Sequence, residues 1–141
     1  MSIYGEYIVP LDQCGRFAMP KKLRATLPEM LLATIDIALP CIKVFSETAW
    51  ENIEQHFIDH CTNMAYKRRW MRFMLGFMHQ IHNDDNKIML PPELCQKTKL
   101  NRHAHIITKP HHLEIWNPQI YERHLNTIDI RPVKAGDQYA L

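Results

Sequence analysis

Asp12-Gln13-Cys14-Gly15-Arg16-Phe17-Ala18-Met19-Pro20 decides the reading of this chain, because it has a counterpart 71 residues further on. That counterpart is Asn83-Asp84-Asp85-Asn86-Lys87-Ile88-Met89-Leu90-Pro91. Each segment is a polar turn, then a short apolar strand that ends at a proline. Self-similarity at a fixed period marks a repeated structural unit. At the same offset Leu23 falls on Leu94, Ala33 on Ala104 and Ile35 on Ile106. Ile42-Lys43-Val44-Phe45-Ser46 then meets Leu113-Glu114-Ile115-Trp116-Asn117, and Trp50 meets Tyr121. Few pairs are identical; the agreement lies in residue type at turn, strand, proline and aromatic positions.

Each copy reads the same way outward from that segment. Ile3 to Leu11 is apolar and β-prone, and Asp12 to Gly15 supplies turn residues. Arg16 to Met19 predicts a short strand, and Pro20 suits the first position of a helix through Lys21-Lys22-Leu23-Arg24. Leu31 to Leu39 is rich in Ile and Leu, and Ile42 to Phe45 alternates apolar residues with Lys43. Ser46 predicts an N-cap, with Glu47 well placed in the first helical turn. Trp50, Ile53, Phe57 and Cys61 then recur at helical spacing as one buried stripe. Asn117-Pro118 repeats the punctuation in the second copy. Between the copies, Ala65 to Met78 places Tyr66, Trp70, Phe73 and Phe77 on one helical face, and the stripe of Trp70, Phe73 and Phe77 is expected in core or interface. The chain therefore divides into a first module at 1–62, a linking helix at 63–77, a second module at 78–127 and a loosely ordered tail at 128–141.

Composition bounds what such a chain does. Seventeen Lys and Arg against fifteen Asp and Glu leave a formal charge of +2, so nucleic-acid binding has to come from local clustering. Four cysteines without close spacing give no disulfide scaffold. Met1 to Leu11 lacks a basic region followed by an apolar run, so no secretory leader is expected. The apolar stretches fall far short of the roughly 20 residues of a membrane span. A cytosolic protein is expected.

A strand, Asp-x-x-Gly-Arg, and a short apolar strand ending in Pro before a helix resemble the SpoVT/AbrB type of DNA-binding module. Two such modules in one chain resemble the MraZ family. Thr34-Ile35-Asp36-Ile37 before Pro40-Cys41, the helix from Arg68-Arg69 to Leu75-Gly76, and Leu113-Glu114-Ile115-Trp116 support the resemblance, which covers about residues 3 to 125. It implies an α+β, β-rich fold in which the two swapped-hairpin modules intertwine as an intramolecular pseudo-dimeric barrel with flanking helices. It also implies a ring-shaped homo-oligomer, binding to double-stranded DNA at promoter direct repeats upstream of a division and cell-wall gene cluster, autoregulation, and a cytoplasmic, nucleoid-associated location. Neither catalysis nor a cofactor is implied.

The same resemblance directs Arg16 toward the DNA groove. An arginine fork bonds guanine edges or a phosphate bidentately. Lys21, Lys22 and Arg24 add charge at a helix start, where backbone donors favour phosphate. Residues 12–27 carry a net +3, whereas 83–98 carry −1, so the first copy is expected to be the better reader. In the second copy the turn residues Asp12 and Gly15 become Asn83 and Asn86, and Arg16 becomes Lys87, which keeps charge but loses the fork. Asn tolerates left-handed backbone angles, so that turn is expected to survive. Taken alone, Arg16 would read as a surface arginine paired with Asp12. Lys67, Arg68, Arg69 and Arg72 read as a solvated helix face or subunit interface, or else as a second phosphate track.

Other classes compete. His56 and His60 stand four apart on a helix beside Cys61, a spacing that suits Zn²⁺, but no third ligand follows at a motif distance. His79, His82, His103, His105, His111 and His112 form no pattern, and scattered exposed histidines are expected. Asp84 and Asp85 are adjacent acids without a nucleophile–base pair or a phosphate loop, so a metal-dependent hydrolase is not expected. An antitoxin would need a longer toxin-wrapping tail than Asp129 to Leu141. A structural ring-forming protein that has lost DNA binding remains an alternative.

Overall fold

The computed structural model describes residues 5–127. The tail at 128–141 lies outside them. In chain order the elements are β1 (Glu6–Pro10), β2 (Arg16–Ala18), α1 (Lys21–Arg24), β3 (Met30–Ile35), β4 (Ile42–Ser46), α2 (Glu47–His60) and α3 (Met64–Gly76). Then come β5 (His79–Asp84), β6 (Lys87–Met89), α4 (Pro92–Lys97), β7 (His103–Thr108), β8 (Leu113–Trp116) and α5 (Pro118–Thr127). The eight strands lie in the order β1-β7-β8-β4-β3-β5-β6-β2, with antiparallel pairing throughout. Strands of the two halves interleave: β1 pairs with β7, β3 with β5 and β2 with β6. The sheet is a nearly closed barrel, the α+β swapped-hairpin architecture that the family resemblance implied.

Alternation fills the barrel. Leu31, Ala33, Ile42, Val44, Ile88, Ala104, Ile106 and Ile115 share one buried cluster with Phe17, Met19, Leu90 and Leu94. Here every second strand residue points inward, as period-2 patterning requires. Outside the barrel, Phe45 joins Trp50, Trp70 and Met74 under the helices α2 and α3. Trp70 stacks on Trp50 at 5.5 Å and on Phe57 at 4.1 Å between ring centroids. The Thr34 hydroxyl donates to the Met74 carbonyl at 2.7 Å and ties α3 to β3. On the other half, α5 covers Cys41, Ile107 and Trp116.

The caps form as the sequence predicts. Ser46 Oγ accepts from the Ala49 amide at 3.1 Å, and Asn117 Oδ1 accepts from the Gln119 and Ile120 amides. The α2 stripe differs from expectation. Cys61 lies one residue past the end of α2, and of the α2 stripe only Trp50 is fully buried. On α3, Tyr66 is 44% exposed, while Phe73 and Phe77 reach back to the barrel core. A helix crossing a curved barrel cannot press one whole face against it.

The internal offset is also uneven. Leu32 faces Phe45, and His105 faces Trp116, so β3 and β7 correspond two residues away from the unbroken offset. Ala33 therefore occupies the place of Ile106 rather than of Ala104. The six-residue loop 36–41 is two residues longer than its counterpart 109–112, which absorbs the slip.

A carboxylate on β8 is buried where the two halves meet at β4. Glu114, 6% exposed, stands opposite Lys43, accepts a hydrogen bond from Trp116 Nε1 at 3.0 Å and lies 3.7 Å from His112 Nε2. Burial works to raise its pKa. The His112 contact, the Trp116 bond and the charges of Lys109 and His112 outweigh that and hold the group down at about 2. Its folded-state pKa lies below the ordinary 4.5, so ionised Glu114 stabilises the fold above that pH. This contribution is lost as pH falls from 4.5 toward 2. Urea midpoints measured between pH 2 and 6 will fall more steeply with acid in the wild type than in Glu114→Gln. Equal slopes would contradict this assignment.

Candidate nucleic-acid interface

Of the predicted DNA-contacting residues, Arg16 and Lys87 meet on the ribbon β2–β6, while Lys21, Lys22 and Arg24 follow on α1. Phe17 and Ile88 face each other and point into the core, 2% and 0% exposed. Alternation then turns Arg16, Ala18, Lys87 and Met89 to the outside, and all four are exposed. Across the ladder Arg16 pairs with Met89, and Ala18 with Lys87. Exchanging the halves maps one pair onto the other, so a pseudo-twofold axis runs through Phe17 and Ile88. Reciprocal hydrogen bonds outside the ladder obey the same exchange. The Leu90 amide donates to the Gly15 carbonyl at 2.8 Å, and the Met19 amide to the Asn86 carbonyl at 2.7 Å.

The turns that present this ribbon differ. In the first copy Asp12 Oδ1 accepts from the Cys14 and Arg16 amides, both at 2.9 Å, and the Gly15 amide donates to the Asp12 carbonyl. Gly15 has φ +80°, and a Cβ there would meet the Leu90 carbonyl oxygen at 3.0 Å. Both the backbone angle and the close approach of the other half require glycine. The second copy uses Asp85 and Asn86, with φ 51° and 60°, as a two-residue hairpin turn. Asn86 thus takes the left-handed angle predicted for it. Asn83 does not form the turn: it lies in β5 opposite Ile88, with its Oδ1 buried and without a hydrogen-bond partner. Four residues separate His82 from Lys87, against five between the equivalent Pro10 and Arg16, so the strand extends into the space of the first turn.

Among the described residues Arg16 has no carboxylate at ion-pair distance; Asp12 holds its backbone and not its guanidinium. Lys87 is likewise free of an ion pair, but it stands across from Asp84 and next to the turn at Asp85. Both cations line an open cleft of about 650 Å³ with His79, His82, Asp84 and Asp85. Lys21 and Lys22 are exposed on α1. Arg24 is partly committed, its Nε donating to the Met19 carbonyl at 2.9 Å. The helix α1 is one turn of four residues, so it offers a charge pair on a short platform rather than a developed helix terminus.

Comparison with known proteins follows this geometry. The MraZ protein family matches residues 3–72, which include the Asp12–Arg16 turn, α1, β3, β4 and α2. A transcriptional regulator MraZ of Shewanella loihica is 28% identical over 126 residues, covering 86% of this chain and 83% of its own length. The transcriptional regulators MraZ of Shewanella violacea and Actinobacillus pleuropneumoniae serotype 5b are each 29% identical, over 126 and 119 residues. This chain belongs to the MraZ family. The MraZ relatives align far beyond the first copy, so the similarity spans both halves of the barrel.

Two features of this MraZ-family ribbon were missed in the sequence. Ala18 and Met89 share the outer face with the two cations, and Met89 is 52% exposed. The alternation Lys87-Ile88-Met89 carries that signal once Ile88 is placed inside. The possible metal ligands His56 and His60 stack on each other at 4.2 Å, with His60 Nδ1 facing the His56 carbonyl. Among the described residues no three His, Cys, Asp or Glu side chains converge as a ligand set.

Proposed function

We propose that this chain is a sequence-specific DNA-binding transcriptional regulator that meets duplex DNA with the outer face of β2–β6. The observation that carries the reading is the ribbon itself, two short strands exposing Arg16 and Lys87 on one face with no ion-pair partner for either among the described residues. A two-stranded ribbon fits the major groove, where an arginine fork reads guanine edges. Arg16 is the principal reader. Lys21 and Lys22 hold phosphates, Arg24 braces the strand end and adds charge, and Lys87 contributes more weakly beside Asp84 and Asp85.

The MraZ relatives named as transcriptional regulators support this role. The finer reading is an autoregulator in the cytoplasm, associated with the nucleoid, on direct repeats upstream of a division and cell-wall gene cluster. The modules at 1–62 and 78–127, joined by 63–77, act as one reading unit. Several units presented together by a ring-shaped homo-oligomer gain affinity through effective concentration rather than through any single contact. The proximity of Asp84 and Asp85 to Lys87 favours one second reading, a structural ring in which DNA binding has been lost.

The test is binding of the purified protein to DNA from upstream of its own gene, against scrambled DNA, over a salt series. A repeat-dependent affinity that falls steeply with salt is expected, because phosphate contacts release counterions. Indifference to sequence, or no binding by a well-formed oligomer, would favour the structural ring.

A further inference from the structure

The helical hairpin α2–α3 carries two stripes of opposite charge that the fold leaves unpaired. On α3, Arg68, Arg72 and Leu75 follow at helical spacing on the side away from buried Trp70 and Met74. Arg69 lies beside them, small Ala65 and Gly76 flank them, and α3 contains no acidic residue. On α2, Glu47, Glu51, Glu54 and Ile58 make a second stripe, beside the buried face of Trp50. Among the described residues none of these charged side chains takes part in an ion pair. Each stripe ends in an exposed aliphatic side chain, Ile58 at 36% and Leu75 at 46%. Glu51 stands seven residues before Ile58, as Arg68 does before Leu75, so the two stripes match over two helical turns when laid parallel.

We propose that these stripes are the two sides of a contact between copies of this chain, α3 of one copy lying on α2 of the next. The inference rests on the ring-shaped assembly read above, and it assigns the surface that builds the ring. Because the contact joins two different patches, it is head-to-tail, the type of interface that closes into a ring when its rotation permits. Single exposed ion pairs contribute little. Several in register, closed by Ile58 against Leu75 at the end of the stripes, give both adhesion and a fixed orientation. The contact also spares the β2–β6 ribbon, which uses none of these residues.

Sedimentation velocity of the full-length chain over a range of concentrations tests the proposal, with near-ultraviolet circular dichroism reporting the fold of each variant. The wild type is expected to assemble. Arg68→Glu with Arg72→Glu is expected to reduce it to single chains, and so is Glu51→Arg with Glu54→Arg. All four substitutions together are expected to restore the assembly, which a merely damaged fold could not do. Assembly that ignores either reversal, or that the fourfold variant fails to regain, overturns the interface and leaves the ring standing. Intact assembly with weakened DNA retention in the arginine variant assigns the stripe to phosphates instead. A wild type that stays single at every concentration overturns the ring reading itself, and this contact with it.

Discussion

Replacing Arg16 with Ala will weaken specific DNA binding by about 1–3 kcal/mol for each engaged ribbon. The reason lies in what surrounds the side chain. Asp12 accepts only from backbone amides at Cys14 and Arg16, so the turn survives the substitution and the loss is one of contact rather than of fold. The guanidinium is exposed with no competing carboxylate among the described residues, so its donors are available to a base or a phosphate. Lys87→Ala is expected to cost much less, since Lys87 faces Asp84 across the β5–β6 pairing and lacks a planar fork. Titrating operator and scrambled DNA at fixed salt against both variants decides the matter. Equal losses would contradict the asymmetry between the copies. A loss in Arg16→Ala that is the same on scrambled DNA would make Arg16 a phosphate contact and not a reader of bases.

Phe17→Ala will have the largest effect on stability, about 3–5 kcal/mol, the range for truncating a buried aromatic side chain. Phe17 is 2% exposed and faces Ile88, itself fully buried, at the centre of the exchange between halves. A cavity at that position loosens both strands of a ribbon only three residues long on each side. With a total stability of about 5–15 kcal/mol for a domain of this kind, the variant keeps a much reduced margin. Urea denaturation gives the loss directly. Specific DNA affinity should drop by more than the unfolded fraction explains, because Arg16 is adjacent in the same strand. A loss below about 1.5 kcal/mol would mean that the barrel core, and not this pair, holds the ribbon.

Much of this was legible in the sequence because it is encoded locally. Ser46 and Asn117 each satisfy a backbone requirement within a few residues and sit where the pattern puts them, Gly15 supplies the left-handed angle of its turn, and Pro20 stands one position earlier than expected, as the N-cap of α1. The exposed face of the ribbon follows from alternation alone. What escaped depends on loop lengths and on partners distant in sequence. A two-residue slip between β3 and β7 preserves the alternation of inward and outward residues, so no hydrophobic pattern could reveal it. The role of Asn83 turned on one residue fewer in the second turn. Cys61 kept the helical spacing of buried residues, but α2 ends at His60, one residue before it.

The covalent joining of the two halves has a consequence for orientation. Two identical modules assembled from separate chains would present a face that looks the same after half a turn, and such a face cannot tell one direction along a duplex from the other. Here one row holds Arg16 with Met89 and the other Lys87 with Ala18, so half a turn changes the face. On the proposed function, the ribbon acts as an arrow along the helix axis. Arrows carried by subunits that follow one another around a ring all point the same way, and the sites they favour are repeated in one direction rather than mirrored.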